Sequence, residues 1–261
     1  MANYQVVTTS SHADKRWRKY TDFLHARQDA VAPLLLHEFP AAAKELPLGF
    51  IAAEGAFVPV AVQGLQPGKN LLVTPDGRWV GGYVPARYRG YPFMLANTQD
   101  GSHVLCVDED SGLLTQDGDA EAFFDENGAP APSIRKVLDF LSAIASKQQL
   151  TEKVCAVLQK HELIQPWPIK VSSSSGAVDI GGLFRIDEAR LNALPLEALD
   201  EVRQLGALPV IYLQLLSMQN LKLLSRLAEI FPAADASSSS IPDELVFDRL
   251  NDSGNISFEG L

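Results

Sequence analysis

The stretch Gly49-Phe50-Ile51-Ala52-Ala53-Glu54-Gly55-Ala56-Phe57-Val58-Pro59-Val60-Ala61-Val62 decides the fold class. Two apolar runs rich in Val, Ile and Phe flank Glu54-Gly55, where glycine permits a tight turn, so the segment reads as a β-hairpin. Pro59 has no amide hydrogen, which predicts that the second strand is an edge strand or is bulged there. Working outward, Leu71-Leu72-Val73, the turn Pro75-Asp76-Gly77 and Arg78-Trp79-Val80 read as a second hairpin. Residues 104–107 form a further strand, closed by the polar turn 108–112. Before the hairpin, residues 30–46 are expected to be helical, bent or split at Pro40. The first 130 residues therefore read as a small, mostly antiparallel sheet with an N-terminal helix on one face.

Beyond residue 130 the pattern turns helical. Ile134, Val137, Leu138, Leu141 and Ile144 recur at helical spacing after Pro132-Ser133. A second helix is expected over 151–163, ended by Pro166-Trp167-Pro168, with short strands over 169–172 and 178–186 following. Pro195 opens a helix that Gly206 ends. Pro209 opens the last, to about residue 230, with Gln219, Lys222, Arg226 and Glu229 on its polar face and Ile211, Leu215, Met218, Leu224 and Leu227 facing inward. The expected class is α+β: residues 1–231 form one domain with a helical C-terminal half, followed by a Ser-rich acidic tail over 232–261. From 231 onward six acids stand against one base, interrupted by Ile241, Leu245, Phe247, Leu250 and Phe258. Such a tail folds against a partner or its own body, or stays a solubilising extension.

Charge narrows the function classes. Twenty-two Lys and Arg against 32 Asp and Glu give a formal net charge of -10, which repels phosphate backbones and anionic membranes. Neither nucleic-acid binding nor membrane insertion is expected; the most apolar run, 207–216, is about half the length of a membrane span. Cys106 and Cys155 are isolated in apolar surroundings and fit a reducing compartment. The first eleven residues lack the apolar core of a secretory signal. The expected location is the cytoplasm.

The common catalytic signatures are missing: no phosphate loop, no HExxH, no GxSxG and no GxGxxG after a strand. Asp108 and Asp110 point to one side of an extended chain and, with His103, define a conceivable cation site; the simpler reading is a polar turn, and no metal or cofactor is assigned. His103 and Cys106 fall on opposite strand faces, which argues against a nucleophilic pair. Cys155 reads as core, His161 as a partner for a helix C-terminus, and His37-Glu38 as residues needing only solvent or a local partner.

Two aromatic-basic clusters are more informative: Lys15-Arg16-Trp17-Arg18-Lys19-Tyr20, and Arg78-Trp79 with Tyr83, Arg87-Tyr88-Arg89 and Tyr91. Interleaved Arg, Trp and Tyr suit a protein-binding hot spot or a sugar-stacking site. They equally suit aromatic anchors in the core with arginines paired to acidic turns. The candidate ligand- or partner-binding residues are Trp17, Arg18, Arg78, Trp79, Tyr83, Arg87, Tyr88, Asp108 and Asp110. A groove taking up the acidic tail joins these clusters to residues 232–261.

Several of these motifs resemble the SapC family. They include Leu36-His37-Glu38-Phe39-Pro40, Phe57-Val58-Pro59-Val60, Gly77-Arg78-Trp79, Tyr83-Val84-Pro85, Leu105-Cys106-Val107-Asp108-Glu109-Asp110-Ser111, Gln165-Pro166-Trp167-Pro168 and Ala207-Leu208-Pro209-Val210-Ile211-Tyr212. The resemblance runs over about residues 5–230 and carries no established catalytic residues. It implies a setting beside TonB-dependent receptors, halogenase-like proteins and cupin-like proteins. The expected function is that of a non-catalytic cytoplasmic accessory or regulatory protein that binds another protein in bacterial uptake or modification of glycans or peptides. The alternatives are an enzyme or small-ligand binder acting on a sugar or peptide, and a surface-layer-associated structural protein. The oligomeric state stays open.

Overall fold

The computed structural model describes residues 3–98, 102–173 and 176–231, so the acidic-tail expectations lie outside the described residues. The strands in chain order are β1 (Tyr4–Val6), β2 (Arg16–Trp17), β3 (Val31–Pro33), β4 (Leu48–Ala53), β5 (Ala56–Val62), β6 (Phe93–Asn97), β7 (His103–Asp108), β8 (Leu114–Thr115), β9 (Glu121–Ala122), β10 (Ile164–Pro166), β11 (Ile169–Ser173), β12 (Gly176–Ile180) and β13 (Leu183–Ile186). The helices are α1 (Thr9–His12), α2 (Phe39–Ala42), α3 (Ala86–Arg89), α4 (Pro132–Lys160), α5 (Glu188–Asn192), α6 (Leu196–Gln204), α7 (Ala207–Ser217) and α8 (Leu221–Ile230). The architecture is α+β, with antiparallel sheets and the longer helices gathered in the C-terminal half.

The hairpin of β4 and β5 forms as the sequence predicts, with Phe50 opposite Pro59 and Ala53 opposite Ala56. Glu54 (φ 51°) and Gly55 (φ 82°) both adopt positive φ, the conformation that matches a two-residue turn to strand twist. The hairpin sits inside a five-stranded sheet of order β10-β13-β4-β5-β3. β5 is therefore an internal strand, not an edge. Pro59 is tolerated because its carbonyl accepts from Leu34 N–H beyond the end of β3, at 2.9 Å, and its nitrogen faces that same side, where no strand residue requires a donor. A second sheet has the order β1-β7-β6, a third β8-β2-β9, and β11 pairs with β12.

Five expectations of local structure change. The last helix, expected unbroken from Pro209 to about residue 230, is divided into α7 and α8 by a 3₁₀ turn over Met218–Asn220, and the strand expected over 178–186 is β12 and β13. The helix over 30–46 is confined to α2; Val31-Ala32-Pro33 is β3, and Leu36–Glu38 is a 3₁₀ turn leading into α2. Residues 71–80 make a tight turn with one bridge, Val73 to Trp79, rather than two paired strands. The two helices expected over 132–163 are one 29-residue α4. Neither Gly nor Pro interrupts it after Pro132. Thr151, read as a cap, instead donates its hydroxyl to the Lys147 carbonyl one turn back (3.2 Å) and accepts from Leu36 N–H (3.3 Å).

Helix α4 is shared by two apolar clusters. Its first half places Ile134, Val137, Phe140 and Leu141 against Trp17, Phe93, Val107 and Phe123. Its second half places Val154, Cys155 and Leu158 against Phe50, Leu163, Ile186 and Ile211. The largest cluster gathers around Phe39, Leu46, Leu48, Val60, Leu72, Trp79 and Leu224.

Helix α7 is fastened to the sheet by polar side chains. Gln214 Nε2 donates to the Leu48 carbonyl (2.9 Å) and its Oε1 accepts from Ile186 N–H (3.0 Å), while Ser217 Oγ accepts from Leu48 N–H (2.9 Å). Both side chains are fully buried, so each satisfies backbone groups that water cannot reach. Replacing Gln214 with Leu leaves a buried carbonyl and a buried N–H unpaired. Urea unfolding is expected to show a loss of about 2–4 kcal/mol; a loss below about 0.5 kcal/mol would mean that these bonds do not hold α7 to the sheet.

Candidate functional site

The predicted site residues divide into two groups. Trp79, Tyr83, Arg87, Tyr88 and Asp108 gather around one aromatic cluster. Trp17, Arg18, Arg78 and Asp110 lie apart from it. Trp17 is buried in the cluster against α4, edge-on to Phe93 at 4.8 Å between centroids. Arg18 is exposed and pairs with Asp117 (2.9 Å) and Asp119 (3.0 Å); Arg78 is exposed and pairs with Asp76 (3.0 Å). Exposed pairs of this type contribute little beyond local order. Asp110 is exposed in the turn after β7, where its own N–H donates to Asp108 Oδ1 (3.2 Å).

The acidic run after β7 is a backbone-capping turn. Asp108 Oδ1 also accepts from Asn3 N–H (2.8 Å), which holds the N-terminal strand, and Oδ2 accepts from the Tyr91 hydroxyl (3.3 Å). Among the described residues no group of three or more His, Cys, Asp or Glu side chains is placed to hold a metal ion. His103 is exposed and Cys106 is buried, its thiol pushed up by burial. Burial pushes the Cys155 thiol up to about 12, so it is a core group rather than a nucleophile.

The aromatic cluster is built from segment 20–25, the turn at Trp79 and the segment from Tyr83 to Tyr91. His25 stacks on Tyr91 at 4.0 Å with an interplanar angle of 3°. Tyr20 packs edge-on to His25 (5.3 Å) and Phe23 (5.4 Å). Phe23 reaches Trp79 (5.4 Å), and Trp79 reaches Tyr88 (5.8 Å). Trp79 and Tyr88 are buried, so they line this cluster from within and present no face to solvent. Trp79 Nε1 donates to the Tyr83 carbonyl (3.1 Å), and the Tyr88 hydroxyl donates to Gln63 Oε1 (2.8 Å). Only Arg87 of the five is exposed.

Glu38 organises one side of the cluster. Its carboxylate is buried, with 3% exposure. Oε2 accepts from Leu35 N–H (2.8 Å), and Oε1 accepts from the Tyr83 hydroxyl (2.7 Å) and from Ala86 N–H (2.8 Å). Sequence reading gave this residue only solvent or a local partner. Its distant partners are Tyr83 and Ala86, and the one available signal was a lone acid between Leu35, Leu36 and Phe39. Burial first, and the Glu38 charge second, push the Tyr83 hydroxyl up, so the phenol stays protonated and donates.

Buried polar atoms of this region without a hydrogen-bond partner include Tyr20 Oη, His25 Nε2, Gln63 Nε2 and Arg89 Nε. Phe23 and His25 are residues of this cluster that sequence reasoning did not single out, while Tyr20 stood at the end of the first aromatic-basic cluster.

Burial pushes His25 down to about 4, opposed by Asp22. Its ordinary value is 6.5, so between these two values the unfolded chain takes up the proton and the folded chain does not. The stability that neutral His25 contributes is complete above pH 6.5 and declines as pH falls towards 4. The expected decline is on the order of 2–3 kcal/mol. Urea midpoints at pH 7 and pH 4.5 should differ less in His25→Phe than in the natural chain; an unchanged difference would mean that His25 does not titrate this way.

A family model described as SapC matches residues 7–224 of the chain. No curated protein matches it, and no solved structure does.

Proposed function

This chain belongs to the SapC family, and from that membership and its surface we propose that it is a non-catalytic accessory protein that works by binding another protein. Helix α7 carries the reading. No residue of Ala207–Ser217 is charged. Its inner face, Ala207, Val210, Ile211, Gln214 and Ser217, is buried on the sheet and on α6. Its outer face is apolar as well: Tyr212 is 49% exposed and Leu216, one turn on, 64%. Leu196, at the start of the adjoining α6, is 76% exposed.

A surface helix ordinarily turns charged side chains to water, and a helix apolar all round is ordinarily buried. An uncharged α7 with large apolar groups outward is what a helix covered by a partner requires. The partner this surface suits offers an apolar ridge, since a charge set against α7 would find no counter-charge. This moves the proposed contact from the aromatic-basic residues to α7.

The proposed setting is the cytoplasm, supported by two buried free thiols. Among the described residues no helix is long and apolar enough to cross a membrane. The proposed partners are the halogenase-like, cupin-like or TonB-dependent receptor proteins of bacterial glycan or peptide uptake and modification systems.

The test is co-purification from the source cells with the natural chain and with Tyr212→Glu/Leu216→Glu. Both positions are exposed, so stability should change by less than about 1 kcal/mol. The expected result is a stoichiometric partner held by the natural chain and lost at least tenfold by the variant. Equal capture by both would remove α7 as the contact, and an empty natural-chain sample would overturn the protein-binding reading.

A further inference from the structure

Strand β6 is an outer strand of the β1-β7-β6 sheet, and its free edge is unguarded. Folded proteins close exposed strand edges with proline, charge or short strands, because free N–H and C=O groups template pairing with another chain. This chain does so elsewhere. The outer strands β10 and β3 contain Pro166 and Pro33. Strands β11 and β12 contain Lys170 and Asp179, β8 and β9 are two residues long, and β1 is three. Among the described edge strands only β6 runs five residues with neither proline nor charge. The neutral stretch extends over residues 90–99.

Pairing with β7 fixes which backbone groups are free. Phe93 lies opposite Val107, Leu95 opposite Leu105 and Asn97 opposite His103. Asp108 N–H donates to the Pro92 carbonyl (2.9 Å) and Thr98 N–H to the Ser102 carbonyl (2.9 Å). Phe93, Leu95 and Asn97 therefore occupy the pairs that exchange no hydrogen bonds, and their N–H and C=O groups point away from β7. Phe93 N–H turns back to the Gly90 carbonyl (2.8 Å). Among the described residues nothing bonds the N–H or C=O of Leu95, the N–H or C=O of Asn97, or the C=O of Phe93.

We propose that β6 pairs with β6 of a second copy of this chain, antiparallel about a two-fold axis at Leu95. Leu95 then exchanges N–H and C=O bonds with the partner's Leu95, and Asn97 N–H donates to the partner's Phe93 carbonyl. The Asn97 carbonyl, at the exposed end of the strand, stays in water. Side chains agree with this register. Leu95, half-buried beside the α4 cluster, meets its own copy, and Met94, 37% exposed on the other face, meets the partner's Ala96. A register centred on Ala96 sets Leu95 against Asn97, and one centred on Met94 needs the Phe93 N–H that is already in use. Charge favours a second copy too: two chains of net charge -10 repel each other, and a neutral strand is where they can approach. The contact shares no residue with the outer face of α7, so it stands or falls separately from the protein-binding reading.

The test is sedimentation of the full chain from about 1 to about 500 μM, a range wide enough for a small interface. It compares the natural chain with Asn97→Pro and with Tyr212→Glu/Leu216→Glu. Asn97→Pro removes an outward N–H at an exposed position and leaves the bonds to β7 intact, and its amide spectrum checks its fold. The expected result is a natural chain that dimerises, at least tenfold weaker dimerisation of Asn97→Pro, and an α7 variant that dimerises like the natural chain. Hydrogen exchange of the natural chain should show Leu95 and Asn97 N–H protected as concentration rises, with Phe93 N–H unchanged. A chain that stays monomeric would overturn the proposal and leave the edge to an extended segment of another protein. Equal dimerisation of Asn97→Pro, loss of the dimer in the α7 variant alone, or exchange at Leu95 and Asn97 independent of concentration would each overturn it as well.

Discussion

The buried carboxylate of Glu38 is the constraint on which the aromatic half of the molecule depends. A carboxyl group with 3% exposure is stable only where hydrogen bonds replace its water. Glu38 receives three, from Leu35 N–H, the Tyr83 hydroxyl and Ala86 N–H. The first closes the 3₁₀ turn that leads into α2. The other two come from a segment 45 and 48 residues away, and fix where the chain runs between the Trp79 turn and α3. The placement of Tyr88, Arg89 and Tyr91, and so of the whole stacked cluster, follows from that attachment.

A similar device secures the other half. Gln214 and Ser217, buried on an otherwise apolar α7, complete the hydrogen bonds of Leu48 and Ile186 on adjoining strands β4 and β13. In both places polar side chains supply register, which apolar packing alone leaves loose. With α7 pinned by its inner polar groups, its uncharged outer face is held rigidly toward the exterior. A rigid apolar ridge loses little conformational entropy on binding, which favours its use as a docking surface.

Much of the fold was legible because local signals were strong. The β4–β5 hairpin declared itself by two apolar runs around Glu54-Gly55, and α6 by Pro195 before it and Gly206 after it, the latter at φ 70°. The family motifs were legible in the same way, over nearly the same span as the SapC match. Long-range placement was not legible. Pro59 looked like an edge signal because sequence does not show that β3 ends just where its missing amide would matter. Thr151 looked like a cap because a hydroxyl bonding back along a helix has the same spelling. The Trp and Tyr residues of the basic clusters read as surface or core with equal ease, and burial assigns Trp17, Trp79 and Tyr88 to the interior. Glu38 stayed hidden because its partners are dozens of residues away.

A double-mutant cycle on Glu38→Gln and Tyr83→Phe, read by urea unfolding, tests most directly whether the Glu38 carboxylate organises this half of the fold. Tyr83→Phe removes the hydroxyl that donates the 2.7 Å bond, and Glu38→Gln keeps an acceptor oxygen but removes its charge. The account predicts a coupling energy of about 1 kcal/mol, the difference between a buried hydrogen bond to a charged acceptor and one to a neutral acceptor. Additive losses, with coupling near zero, would contradict it.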